Sequence, residues 1–304
     1  MWDEIFAETD FLHMANEDSF AAQGNCLAVL KKMKSESVDL IFADPPYNLG
    51  KDFGNNKDQW KNLNEYVEWC KSWIDECFRV LKPNGTFYLM TATQHMPHLD
   101  IYINEHYNVL SRIVWTYDSS GVQSKKNFGS LYEPILMANK SAKNEFTFNH
   151  EAILVEAKTG ASRKLIDYRK TPPQPYNTQK VPGNVWDFPR VRYKMDEYEN
   201  HPTQKPEALL ERIILASSNE GDVVLDPFAG SFTTSAVAVR NSRKAVGIDM
   251  HEDYFKIGLR RTGIARQYQG EPLIKDKSRK TKNKSKKDHA ETENEKQEAD
   301  SKGC

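Results

Sequence analysis

Residues 223–249 constrain the fold more than any other stretch. Val223-Val224-Leu225-Asp226 reads as a short apolar strand, and Asp226-Pro227-Phe228-Ala229-Gly230-Ser231-Phe232 carries turn residues. Residues 231–241 suit a helix, and Ala245-Val246-Gly247-Ile248-Asp249 reads as a second strand. Strand, glycine turn, helix and strand in that order form a crossover between parallel strands. The expected fold is therefore α/β: a doubly wound, mostly parallel sheet with helices on both faces.

The same stretch carries a ligand signature. Asp249 closes its strand 23 residues after Asp226, the spacing at which an acid accepts ribose hydroxyls. Only one glycine of a Gly-rich phosphate fingerprint is present, so a dinucleotide loop is disfavoured. A nucleoside ligand without phosphates, such as S-adenosylmethionine, fits better, because its sulfonium is attracted by nearby carboxylates. Taken alone, the segment is equally compatible with a βαβ turn that binds nothing.

Residues 38–44 read as a buried strand that stops at Pro45-Pro46. Asp44-Pro45-Pro46-Tyr47 at its end suits methyl transfer to a conjugated exocyclic amine. Such a nitrogen is a poor nucleophile, since its lone pair is delocalised into the ring. Hydrogen bonds from its two N–H groups to the Asp44 carboxylate and the Pro45 carbonyl would localise that pair, with the prolines fixing φ. Tyr47 offers a flat face for an extruded base. An isolated Asp-Pro-Pro turn is usually only a turn; the second motif in the same chain gives this one its weight.

Other segments organise the 304 residues. Apolar positions over 65–81 predict a helix that buries Cys70 and Cys77. Lys82-Pro83-Asn84-Gly85 is expected to turn, and Thr86–Met90 to continue as a strand. Pro206 is expected to open a helix whose stripe is Leu209, Leu210, Ile213 and Ile214. The loop from Gly50 to Trp60 is a candidate cover for the catalytic end.

The net charge of −1 conceals a segregation: −8 over residues 1–120, +7 over 121–195, −3 over 196–274 and +3 over 275–304. The basic segment is rich in Pro, Gln, Asn and Tyr and shows no helical period. It reads as an inserted, loop-rich region, with Lys125, Lys126, Arg163, Lys164, Arg169 and Lys170 as candidate phosphate or base contacts; a merely solvated basic face is the alternative. The expected division is 1–120, 121–195, 196–270 and a disordered charged tail over 271–304, whose low apolar content gives it nothing to bury. A mean hydropathy of −0.72 fits that tail. No apolar run reaches membrane-spanning length. Met1-Trp2-Asp3-Glu4 carries acid where a secretory leader needs positive charge. The four cysteines form no C-x-x-C pair, which disfavours a disulfide framework or a zinc site and fits a reducing, cytoplasmic compartment.

Taken together, Asp44-Pro45-Pro46-Tyr47, Asp226-Pro227-Phe228-Ala229-Gly230 and the intervening His201-Pro202-Thr203-Gln204-Lys205-Pro206 resemble the amino-methyltransferase family of DNA methyltransferases, which act on adenine N6 or cytosine N4. The order of catalytic motif, insert and cofactor motif resembles the beta group. Residues 114–121 and 181–190 are similar to bacterial adenine members. The resemblance covers roughly residues 20–262. It implies a Rossmann-like methyltransferase fold, S-adenosylmethionine as cofactor, and double-stranded DNA as partner, with 121–195 as the target-recognition region. It also implies base flipping, a possible homodimer and a possible cognate restriction endonuclease. Its cofactor contacts map onto Asn25, Cys26, Thr203, Lys205, Asp226, Phe228, Gly230, Ser231 and Asp249, and its catalytic motif onto Asp44, Pro45, Pro46 and Tyr47.

Two positions depart from the pattern. Phe232 stands where the family commonly has glycine, and so either narrows the cofactor pocket or packs beneath it. Asn25 stands where an acid is common. Asp at the head of the catalytic motif favours adenine N6, with cytosine N4 or a catalytically silent DNA-binding protein as alternatives. Cytosine C5 chemistry, which needs a nucleophilic cysteine, is disfavoured by the lack of a Pro-Cys pair.

Overall fold

In the computed structural model of the chain, which describes residues 1–51, 58–119, 125–140, 143, 145–158 and 163–266, nine strands form one sheet. They are β1 (Leu12–Ala15), β2 (Ser19–Gln23), β3 (Val38–Ala43), β4 (Leu81–Met90), β5 (Asn108–Thr116), β6 (Tyr132–Asn139), β7 (Val185–Asp187), β8 (Val223–Asp226) and β9 (Lys244–Asp249). Their spatial order is β1-β2-β9-β8-β3-β4-β6-β5-β7. Neighbours run parallel except where β1 or β6 takes part. The expected doubly wound, mostly parallel α/β architecture is what the chain adopts.

The central strands are buried on both faces, so they read as apolar runs rather than as alternating ones. Ile41 on β3 points to the side holding α2 (Cys26–Leu30), α3 (Leu63–Val80) and α4 (Met96–His106). Leu40 and Phe42 point to the side holding α5 (Glu207–Ser217) and α6 (Thr233–Arg240). A further helix, α7 (Glu252–Arg261), packs against α6, β2 and β9. The α3 periodicity is realised: Tyr66, Cys70, Trp73, Ile74 and Cys77 are buried. The helix starts where the Asn62 side chain accepts the Glu65 N–H at 2.9 Å. Burial pushes the Cys70 thiol up to about 12, so it is a core residue.

Two expectations are corrected. Lys82–Gly85 does not turn but begins β4, with a register shift opposite Val38–Leu40. The bulge seats Gly85 so close to β3 that a Cβ there would lie 2.7 Å from the Asp39 carbonyl. Lys82 Nζ meets Asp39 Oδ1 at 2.8 Å, and Asp39 Oδ2 accepts the Val223 N–H at 2.9 Å. The acid therefore ties β4 to β8. Second, residues 121–195 are not one insert. β6 lies within the sheet between β4 and β5, and β7 forms its edge. The apolar run Ile135-Leu136-Met137-Ala138 is buried; averaging charge over its basic flanks had hidden it. Among the described residues between β6 and β7, short ladders outside the sheet pair Val155–Glu156 with Gln179–Lys180 and Ile166–Asp167 with Gln174–Pro175.

Residues 1–264 make one contact unit and 265–304 another. In the first, the ends meet: the Asn16 side-chain amide donates to the Thr262 carbonyl at 3.2 Å. The expected tail over 271–304 and the middle of the loop from Gly50 to Trp60 lie outside the described residues.

Candidate active site

β3 and β8 pair in parallel, Leu40 opposite Val224 and Ile41 opposite Leu225. Their carboxyl ends therefore place Asp44 and Asp226 side by side, although 182 residues separate them in the chain. On one side of this junction the sheet continues through β4, on the other through β9. Crevices form at such reversals of strand order. The crevice here is a cavity of about 450 Å³, within the range of small-ligand sites. Asp44, Pro45 and Pro46 line it, as do all nine residues expected to hold the cofactor: Asn25, Cys26, Thr203, Lys205, Asp226, Phe228, Gly230, Ser231 and Asp249.

The glycine turn is built for close approach. Gly230 has φ +51°, and a Cβ there would lie 2.9 Å from His201 Nε2. Its N–H donates to Asp249 Oδ2 at 2.9 Å, while Asp249 Oδ1 accepts the His251 N–H at 2.7 Å. Asp226 accepts the Thr234 hydroxyl at 2.5 Å and the Phe228 N–H at 3.0 Å. Burial raises Asp226 to about 7 and Asp249 to about 6. Among the described residues neither acid has an ion-pair partner. A cationic ligand with hydroxyls answers both deficits, so the residues present fit S-adenosylmethionine. Nearby, His201 is pushed down to about 3, first by burial and then by Lys205. It stays neutral, and its Nδ1 accepts the Thr203 N–H at 3.3 Å.

The two departures from the family pattern resolve differently. Phe232 is fully buried and absent from the cavity wall. Its ring lies beneath the turn between two glycines: a Cβ on Gly247 or Gly258 would come within 2.5 Å of it. It packs under the pocket rather than narrowing it. Asn25 does line the pocket, but its side-chain oxygen caps α2 through the Ala28 N–H at 3.2 Å. Cys26 contributes an uncharged wall, its thiol raised to about 12 by burial.

At the tip of β3 the backbone is clamped: the Tyr66 hydroxyl, from α3, donates to the Pro46 carbonyl at 2.9 Å. This leaves Pro45 free of that duty. The Tyr47 hydroxyl lies 2.6 Å from Asp44 Oδ1 and 3.1 Å from Glu133 Oε2. Lys205, expected on the cofactor side, sends its ammonium to the tip of β3, 2.7 Å from Asp44 Oδ2 and 3.7 Å from Glu133 Oε2. That nitrogen also lies 5.4 Å from the Tyr47 ring centre. Burial raises Asp44, and Lys205 pulls it back. Burial opposes the Lys205 charge, but Asp44 and Glu133 outweigh it and hold the lysine above its ordinary value. Sequence reasoning missed Glu133, which sits on the strand hidden in the basic segment.

Of the basic candidates, Lys125 and Lys126 lie exposed on the connection from β5 to β6. Arg163 and Lys164 precede the short ladder strand Ile166–Asp167, and Arg169 and Lys170 follow it, all four exposed. Arg169 is forked onto Asp167 at 2.8 and 3.0 Å. Phe128 and Tyr168 are exposed beside them.

Comparisons with known proteins agree with this geometry. The chain is 62% identical over 271 residues to DNA adenine methyltransferase YhdJ of Escherichia coli K12, a match that covers 89% of this chain and 92% of that protein. It is 39% identical over 239 residues to Type II methyltransferase M.HpaI of Haemophilus parainfluenzae, covering 78% and 72% of the two chains. The fold is shared with the cytosine-N4-specific PvuII DNA methyltransferase at a TM-score of 0.63 and 19% identity, covering 83% of this chain and 90% of that one. It is also shared with M1.HpyAVI, solved in complex with SAM, at 0.52 and 22%, covering 79% and 98%. A family model described as DNA methylase, for N6 and N4 methyltransferases, matches residues 38–260, and this chain belongs to that family.

Proposed function

We propose that this chain is an S-adenosylmethionine-dependent DNA methyltransferase that transfers a methyl group to N6 of adenine in double-stranded DNA. One observation carries the reading: Asp44 and Asp226, at the tips of two paired strands, open onto the same cavity. When bound, the cofactor supplies an electrophilic methyl on its sulfonium. Asp249 would accept its ribose hydroxyls, Gly230 would let it approach the backbone, and Asp226 would give the negative field that favours a cation.

The remaining work falls to the β3 tip. Each oxygen of the Asp44 carboxylate is engaged once, by Tyr47 and by Lys205. A carboxylate has about four acceptor positions, so capacity remains for an amino N–H. The Pro45 carbonyl accepts the second N–H, and the pair localises the nitrogen lone pair in line with the methyl. Tyr47 stacks on the everted base once its hydroxyl leaves Asp44. The exposed basic residues of 125–170 contact phosphates and base edges. A homodimer, a cytoplasmic location at the nucleoid, and pairing with an endonuclease belong to this reading as expectations.

The test is to methylate plasmid DNA with the purified protein and map the modified positions by single-molecule sequencing. N6-methyladenine in one recurring sequence is the expected result. N4-methylcytosine would move the assignment to the other amino base, and no modification would leave a DNA-binding protein without this activity.

A further inference from the structure

The charges that face Asp44 come from several elements. Tyr47 belongs to its own loop, Glu133 to β6, Lys205 to the segment before α5, and Asp226 to the tip of β8; Lys51 and Arg190 stand beyond them, near Glu133 and Lys205, with the Arg190 guanidinium 4.0 Å from Glu133. Among the described residues, only Lys205 brings a cation within hydrogen-bonding distance of the Asp44 carboxylate. Its ammonium lies 2.7 Å from Asp44, donates to the Thr203 carbonyl at 3.3 Å, and stands 3.7 Å from Glu133. Both neighbours along the chain hold it there. Gln204 is locked by the Glu199 N–H at 2.7 Å and the Glu197 carbonyl at 2.5 Å, and Pro206 is the N-cap of α5.

We propose that Lys205 is a positioning residue for methyl transfer: its ammonium fixes one oxygen of Asp44 and supplies that carboxylate's countercharge, in competition with Glu133. The proposal rests on the reading of Asp44 as acceptor of the substrate's amino hydrogen. It follows from the burial of the cluster. Lys205 is 7% exposed, and a carboxylate in such surroundings protonates unless a cation faces it. A protonated Asp44 loses the charge that complements the positive nitrogen formed as the methyl arrives. Glu133 acts in the opposite sense, as a second acid near the same lysine.

The test uses the full chain with duplex DNA carrying the mapped site. Single-turnover rates are measured from pH 6 to 10, with S-adenosylmethionine affinity by calorimetry, for K205M, K205R, E133Q and the double variant. K205M is expected to bind cofactor within about threefold of wild type, while the acid limb of its rate profile moves about two pH units toward alkaline. Below the wild-type limb that is a loss of roughly a hundredfold, and the rate recovers as pH rises through the displaced limb. E133Q alone is expected to move the limb to lower pH, and in the K205M background to restore about one pH unit of the displacement. K205R keeps the charge and is expected to keep the wild-type limb at a reduced rate.

A K205M profile parallel to wild type, a loss confined to cofactor affinity, or an E133Q shift in the alkaline direction overturns the proposal. If K205M does not fold, the directions seen in K205R and E133Q decide alone. D44A is the separate control: undiminished transfer in that variant removes the reading of Asp44 itself, whatever Lys205 does.

Discussion

On the proposed reading, Asp249 is a single side chain that ties cofactor binding to pH. Its carboxyl is raised to about 6 by burial, against the pull of two backbone N–H groups. The ionised form is the one that accepts ribose hydroxyls and attracts a sulfonium. Binding is therefore complete above that value and weakens as pH falls through it. Between pH 7 and 5 the dissociation constant of S-adenosylmethionine should rise about tenfold, measured by calorimetry, and D249N should show a flatter dependence from a weaker starting point. Asp226, raised to about 7, contributes in the same direction, so some slope persists in D249N. At this scale the sequence was informative wherever a residue sat in a contiguous motif. Asp44, Asp226 and Asp249 were all legible from strand-end position and spacing. Glu133 was not, because nothing in its neighbours marks it. It joins the site only through the pairing of β6 with β4, in which Met137 lies opposite Tyr88, 49 residues away in the chain. The destination of the Lys205 ammonium was equally hidden, since its motif neighbours line the cofactor side.

Among the elements, the start of α6 is the least conventional. Phe232 is its N-cap at φ +55°, a left-handed conformation that costs a residue with a Cβ about 1 kcal/mol. The ring repays this by filling the gap that Gly247 on β9 and Gly258 on α7 leave open. Replacing it with glycine relieves that strain but empties a fully buried aromatic site, a loss of roughly 3–5 kcal/mol. The cavity outweighs the strain, so F232G should be destabilised by about 2–4 kcal/mol in denaturant titration. G258A should be destabilised by about 1–3 kcal/mol through overpacking. F232A with G258A should fall short of the sum of the single losses, because one change makes room for the other. Additive losses would mean that the ring and the glycines are not coupled. Helices α3 and α5 and strands β3, β8 and β9 were readable because each has a clear period or an uninterrupted apolar run. β4 was misread at its start because Lys82-Pro83-Asn84-Gly85 has turn composition, whereas the bulge against β3 accommodates both the proline and the close glycine.

Across the whole molecule, acidic stretches flank a basic one over residues 121–195. If Arg163, Lys164 and Lys170 meet phosphates, changing all three to Gln should weaken duplex binding and reduce the slope of log affinity against log salt by about 2.7. Fluorescence anisotropy between 50 and 250 mM salt measures this, and an unchanged slope would return these side chains to a merely solvated face. The sheet class was legible from a single βαβ unit. The position of the reversed strand β6 was not, since it depends on pairings between distant parts of the chain. The contact between Asn16 and Thr262 has a topological consequence. With the ends of the 1–264 unit adjacent, a circularly permuted chain, joined there by a short linker and opened within 140–184, keeps every pairing of the nine-stranded sheet. In such a permutant the glycine turn precedes Asp-Pro-Pro-Tyr in the chain, yet both face the same crevice. The linear order of the two motifs is a matter of where the polypeptide is cut, and the crevice is set by which strand tips are neighbours.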